Sequence, residues 1–222
     1  MIGSRDSSEK RGNKMKVLLV NGSPHPAGCT YTALRAVAGA LEENGIATEV
    51  FQLGVKPISG CIACGSCAKA GRCFMDDPVN RFLDLALTAD GFVFGSPVHY
   101  ASATGMLTSF MDRAFYANRD PKRYAYKPAA AVVSARRAGT TAALDQINKY
   151  FPISGMPIVP SRYWNMVHGS TPEDVAKDLE GLQIMRVLGR NMAWLLKSIE
   201  AGRAAGISTP EREDAVRTNF IR

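Results

Sequence analysis

Apolar residues arrive along this chain in short unbroken blocks separated by stretches of helical period. Lys16 to Val20 is a compact apolar strand that stops at Asn21-Gly22, and Thr30 to Asn44 places Leu34, Val37, Ala38 and Leu41 on one helical face before Gly45 closes it. Ile46 to Gln52 alternates as a second strand. A loop rich in Gly, Pro and Cys then runs to Phe74, and a helix follows from about Asp77 to Ala89. Phe92-Val93-Phe94, enclosed by Gly91 and Gly95, has no polar face, as expected of a strand covered on both sides. Gly105 to Ala117 gathers Leu107, Phe110, Met111, Ala114 and Phe115 on one helical stripe. Ala129 to Ser134 is again wholly apolar, Thr140 to Phe151 is helical, and Met156 to Pro160 reads as the fifth strand. Thr171-Pro172-Glu173-Asp174 combines an N-cap, a proline at the first helical position and first-turn acids, opening a long helix to about Glu200.

Strands that alternate with helices imply an α/β fold, a doubly wound five-stranded parallel sheet with helices on both faces. The length suits the flavodoxin-like strand order 2-1-3-4-5, in which a ligand sits beyond the carboxyl ends of strands 1 and 3. Residues 1–14 are polar without apolar period and read as a flexible leader. Residues 15–201 form the one domain, and 202–222 a tail, with a short helix after Thr209-Pro210 packed on the body or on a second subunit.

Composition removes several function classes. The 222 residues are 46% hydrophobic and 21% charged, which excludes disorder, collagen and coiled coil. No apolar run is long enough to span a membrane and no signal peptide opens the chain, so the expected location is cytoplasmic. The net charge is +7, and Arg119, Lys122, Arg123, Lys127, Arg136 and Arg137 stand against Asp120 alone, which reads as a single basic patch. No nucleic-acid motif accompanies it. The patch suits an anionic cofactor, a phosphorylated nucleotide, an acidic electron-transfer protein, or simply solvent.

The loop Asn21 to Thr32 joins strand 1 to a helix N-terminus, where unpaired N–H groups and the hydroxyls of Ser23, Thr30 and Thr32 favour a phosphate. It is neither a P-loop nor a dinucleotide fingerprint, because no Lys-Ser/Thr follows Gly28 and no G-x-G-x-x-G occurs. After strand 3, Gly95 to Gly105 offers Pro97, the ring of Tyr100 and successive backbone N–H groups to a flat ligand.

As a set, Gly22-Ser23-Pro24, Gly28-x-Thr30, Ser96-Pro97-Val98-x-Tyr100 and Phe110-x-Asp112-Arg113 resemble the NADPH-dependent FMN reductase family. Tyr163-Trp164-Asn165, Glu180-Gly181 and Leu188-Gly189-x-Asn191-Met192-Ala193 are similar to its iron-sulfur flavoprotein branch. The resemblance implies that Ser23, His25, Cys29, Thr30 and Thr32 surround the FMN phosphate. It implies that Pro97, Val98, His99, Tyr100 and Ala101 border the isoalloxazine, and that Ser134, Arg136 and Gly139 cover its other side. His25, Cys29 and His99 stand where the family commonly carries Arg, Asn and Tyr. Arg136 and Arg137 follow strand 4 and are suited to anionic flavin or to the 2′-phosphate of NADPH, or merely to neighbouring carboxylates.

Cys61, Cys64, Cys67 and Cys73 spell C-x2-C-x2-C-x5-C after strand 2. Such a compact run suits a [4Fe-4S] cluster and resembles the iron-sulfur flavoprotein motif; zinc and unmetallated thiols are the other readings. The leading expectation is an FMN-dependent NAD(P)H oxidoreductase that passes hydride to flavin and on to a small-molecule or protein acceptor, with NAD(P)H as co-substrate. The alternative is a non-enzymatic FMN and iron-sulfur electron carrier between protein partners. A homo-oligomer, dimer or tetramer, is expected, with neither nucleic acid nor membrane as partner.

Overall fold

A computed structural model describes residues 14–118, 120–211, 213, 216 and 218. The expected leader, save residue 14, and most of the tail beyond 211 lie outside the described residues, as does Arg119. Six strands occur among the described residues: β1 (Lys16–Asn21), β2 (Ala47–Gln52), β3 (Gly91–His99), β4 (Ser102–Ala103), β5 (Ala129–Ala135) and β6 (Met166–His168). The helices are α1 (Cys29–Glu43), α2 (Cys67–Ala70), α3 (Pro78–Thr88), α4 (Gly105–Tyr116), α5 (Thr140–Asn148), α6 (Tyr150–Ile153), α7 (Pro172–Lys177) and α8 (Leu179–Ala204). The sheet order is β2-β1-β3-β5-β6, all parallel, with β4 an antiparallel spur on β3. Setting that spur aside, this is the expected flavodoxin-like order.

Strand alternation divides the core into two layers. Leu18, Val20, Phe92, Phe94, Ala131 and Val133 face α3, α4 and α5, where Phe82 lies edge-on to Phe110 at 5.0 Å and to Phe51 at 5.5 Å. Val17, Leu19, Val93, Ala130 and Val132 face α1 and α8 in a layer built almost wholly of aliphatic side chains. Both faces of β3 and β5 are buried, which is why those strands read as uninterrupted apolar runs.

Two expectations about the elements change. The fifth strand is Met166–His168, not Met156 to Pro160: the earlier run makes one isolated bridge, Ala129 to Ile158, on the same edge of β5. Pro157 and Pro160 bring no N–H to a ladder, so pairing lapses there and resumes six residues on. The long final helix is two, broken at Asp178 (ψ 75°), whose carboxylate accepts from Gly181 N at 2.9 Å and from His168 N at 2.7 Å. The short helix expected after Thr209-Pro210 falls mostly outside the described residues.

The basic residues do not form one patch. Lys122 and Lys127 line a cavity at the amino edge of the sheet, where Lys127 Nζ donates to Ala86 O at 2.8 Å, whereas Arg136 stands at the carboxyl edge. The seven residues of β5 separate them, about 20 Å at strand rise. Closeness in sequence across a strand puts charges on opposite rims.

Two glycines with opposite surroundings test the helix packing. At Gly189, on α8, a Cβ would lie 2.6 Å from Val37 O and 2.7 Å from Ala40 Cβ of α1; at Gly39, within α1, it would meet nothing within 4 Å. Gly189→Ala should destabilise by about 1–3 kcal/mol despite the better helix former, and Gly39→Ala should stabilise by about 0.5–1 kcal/mol. Thermal melts of both variants check this: melting temperatures moving in the same direction would contradict the close α1–α8 approach.

Candidate functional site

Four strand exits meet at the carboxyl edge around an open cleft of about 750 Å³. Its lining comes from Ser23 to Thr30 after β1, Pro97 to His99 at the end of β3, Ser134 to Arg136 at the end of β5, and Gly169 to Pro172 after β6.

The first loop is held by buried amides. Asn21 Oδ1 accepts from Ser23 N at 3.1 Å, while Asn21 Nδ2 donates to Gln52 Oε1 at 2.6 Å. Gln52 Nε2 returns to Ser23 O at 2.7 Å, so β2 braces the turn that leaves β1. Ser23 Oγ accepts from His25 N at 3.1 Å and keeps its own proton free among the described residues. Thr30 Oγ1 and Ser134 Oγ lie 2.8 Å apart, both buried. Two hydroxyls with one hydrogen bond between them leave one proton for a ligand. Gly28 at the N-cap contributes no side-chain bond and α1 has no acid in its first turn, so its leading N–H groups are left to an anion.

Arg136 and His25, both exposed, stand at the rim, and the structure brings Ser23, His25, Cys29, Thr30, Pro97, Val98, His99, Ser134 and Arg136 together along the cleft. The net shift of Cys29 is away from thiolate. Burial pushes its thiol up and outweighs the opposing pull of its own backbone N–H, the acids Asp174 and Glu173 add to the rise, and it donates to Gly169 O at 3.7 Å.

Four expected residues do not line the cleft. Thr32 Oγ1 donates to Gly28 O at 3.2 Å, serving the turn. β3 does not end at Gly95 but runs to His99 and folds back through Tyr100 and Ala101 into β4. Both turn residues have positive φ, 49° and 58°, as a two-residue hairpin demands, and Tyr100 is left wholly exposed at the tip. Gly139, at φ 92°, supports the tip from below: a Cβ there would lie 2.6 Å from Ala101 Cα.

Sequence reasoning missed Gly169 to Pro172, because the fifth strand was placed too early. The Thr171–Asp174 capping box marked a helix start, and a helix start after a strand is the signal that would have found the loop. It also missed Gln52 and Gln146; Gln146 Oε1 accepts from Ser102 Oγ at 2.7 Å and Ala103 N at 3.0 Å and clamps the hairpin.

The other expected cluster is built separately. Cys61, Cys64, Cys67 and Cys73 line one small cavity of about 20 Å³ together with Ile62, Phe74, Met75, Arg113 and Tyr116. Cys61 and Cys64 are exposed, Cys67 is buried, and hydrogen bonding with Ser66 holds the Cys64 thiol below its ordinary range. Among the described residues no group of three or more His, Cys, Asp or Glu side chains is drawn together tightly enough to hold a metal ion as they stand. The donor chemistry nevertheless suits a thiophilic cluster: four thiols from one short loop face a common, largely apolar space. No helix among the described residues is long and apolar enough to cross a membrane.

Comparison with known proteins matches residues 15–171 to the family model for NADPH-dependent FMN reductase. An iron-sulfur flavoprotein of Methanocaldococcus jannaschii is 32% identical over 197 residues, covering 84% of this chain and all of the relative. The structure of an NAD(P)H:quinone oxidoreductase from Methanothermobacter marburgensis superposes with a TM-score of 0.61 at 19% identity, covering 81% of this chain and 98% of that one. A flavodoxin from the domain Archaea gives 0.55 at 19% identity, covering 82% and 99%. At such identities the two structures speak to the fold alone.

Because Gln52 carries no cleft atom yet braces Ser23, Gln52→Leu should weaken FMN by about 1–2 kcal/mol, roughly five- to thirtyfold. Flavin fluorescence titration measures it, and an unchanged dissociation constant would mean the brace is not needed.

Proposed function

The chain belongs to the NADPH-dependent FMN reductase family, and from that premise we propose that it binds FMN in the carboxyl-edge cleft and passes reducing equivalents from NAD(P)H to a second acceptor. The observation that carries the reading is the anion seat at α1: free N–H groups, one spare proton from Thr30 and Ser134, another from Ser23, with His25 at the rim. That set fits a phosphate monoester. Bound flavin supplies two-electron hydride chemistry at its ring, with transfer from nicotinamide and onward delivery to the acceptor.

The chain's own part is placement. Ser23 and one hydroxyl of the Thr30–Ser134 pair donate to the phosphate and fix the ligand's depth. Pro97, Val98 and His99, stiffened by pairing with β4, form the wall along the ring. Gly139 and Gln146 keep that wall still by supporting the hairpin from α5. No acid or base is required of the protein for hydride transfer, and the open face leaves room for a nicotinamide to stack and depart.

The proposal has a second part: Cys61, Cys64, Cys67 and Cys73 ligate an iron-sulfur cluster that exchanges single electrons with the flavin. The common cavity of the four thiols supports it, as do relatives named iron-sulfur flavoproteins. Iron and acid-labile sulfide assays on anaerobically purified protein test this part, and the absence of both would overturn it.

Arg136 lines the cleft whereas Arg137 does not, which makes the pair a controlled test of nucleotide choice. Arg136→Gln should slow reduction by NADPH tenfold to a hundredfold, about 1.5–3 kcal/mol for one lost charge-assisted contact, and leave NADH nearly untouched. Arg137→Gln should change neither. Stopped-flow flavin bleaching with each nucleotide reads the result; equal slowing with both nucleotides would place Arg136 on the flavin, not on a 2′-phosphate.

A further inference from the structure

Arg113 is the largest fully buried side chain among the described residues, at 2% exposure, and every one of its five N–H donors is engaged. Nη1 and Nη2 form a two-pronged pair with the Asp77 carboxylate, the Nη2 bond being 3.1 Å, and Nη1 also donates to Ser59 O at 3.3 Å. The remaining two donors, Nε at 3.4 Å and Nη2 at 3.2 Å, both point at the sulfur of Cys73. A buried guanidinium is costly unless fully paired, so its direction is strongly determined.

The attention to Cys73 is unequal. Its backbone is gripped on both sides by Asn80, whose Oδ1 accepts from Cys73 N at 2.9 Å and whose Nδ2 donates to Cys73 O at 2.8 Å. By contrast, Cys61 and Cys64 are exposed and Cys67 Sγ makes a long contact to the Tyr116 carbonyl at 4.0 Å. One sulfur of the four is therefore pinned and wrapped by a cation, while its siblings are not.

We propose that Arg113 is a positioning residue that sets the reduction potential of the cysteine-bound cluster through its two N–H bonds to Cys73 Sγ, with Asp77 as the counter-charge that limits the effect. This rests on the reading that the four thiols hold such a cluster. The couple concerned takes up one electron and transfers no proton or ligand. Added electron density spreads onto the ligating sulfurs, and N–H donors with a positive charge favour the reduced form, raising the potential. Removing the Asp77 charge leaves the guanidinium less compensated and raises it further. A side chain that merely tied the cysteine loop to α4 would shift neither value.

The test is a dye-mediated redox titration followed by electron paramagnetic resonance on anaerobic wild type, Arg113→Met, Arg113→Lys and Asp77→Asn, each with iron and sulfide assayed. Arg113→Met should lower the potential by at least tenfold in the oxidised-to-reduced ratio, 59 mV for a one-electron couple. Arg113→Lys should lower it less, and Asp77→Asn should move it the opposite way. Iron-replete variants with wild-type potentials, or variants that all shift in one direction, would overturn the proposal. If the variants lose iron, pulsed resonance of wild type grown with ¹⁵N-arginine decides: nitrogen coupling to the reduced cluster supports the contact, and its absence refutes it. Wild type without iron and sulfide defeats the cluster reading itself, and the proposal with it.

Discussion

The cleft depends on two backbones approaching more closely than a side chain allows. Gly22 N donates to Gly95 O at 2.8 Å where β1 leaves the sheet beside β3. A Cβ on Gly22 would lie 2.8 Å from that carbonyl oxygen and 2.9 Å from Leu107 Cβ; one on Gly95 would lie 2.9 Å from Leu34 Cδ1 and Thr30 Cγ2. Thr104 extends the same knot, with Oγ1 donating to Gly22 O at 3.1 Å while accepting from Leu107 N to cap α4. The end of β1, the middle of β3 and the starts of two helices are thus fixed by one contact.

From that knot the functional geometry follows. Pressing α1 against β3 brings Thr30 beneath Ser134 of β5, so hydroxyls from loops 104 residues apart share a hydrogen bond at the floor of the cleft. The anion seat is made by topology, and no sequence-local motif could make it. The cysteine loop leaves from β2 and is anchored differently, through Asn80 and Asp77 of the α3 start and through Arg113 of α4. The cleft and the cysteine loop therefore stand on separate supports, both fastened to α4, whose N-cap belongs to the first knot and whose last turn carries Arg113.

Much of this was legible in the residues. Apolar blocks buried on both faces located β1, β3 and β5, and small-residue loops at their ends located the seat. What stayed hidden depended on partners far away in sequence. Met156 to Pro160 has strand composition, yet its prolines limit it to a bridge, while the true edge strand at Met166–His168 is too short to show a period. The Tyr100-Ala101 hairpin gave no signal because non-glycine residues occupy both positive-φ positions, held there by Gly139 and Gln146. Arg113 belonged to a recognised motif, but nothing in its spacing announced Cys73, forty residues earlier.

The central claim is that the first turn of α1 holds the phosphate of a flavin nucleotide, and ³¹P resonance of the protein loaded with FMN tests it most directly. Free phosphate monoesters titrate with a second pKa near 6. Held by N–H groups, the Ser23 proton and the one spare proton of the Thr30–Ser134 pair, the bound phosphate stays dianionic, so one resonance displaced from free FMN should remain at constant shift from pH 5 to 8. A bound resonance that titrates as free FMN does would place the phosphate in solvent and contradict the account.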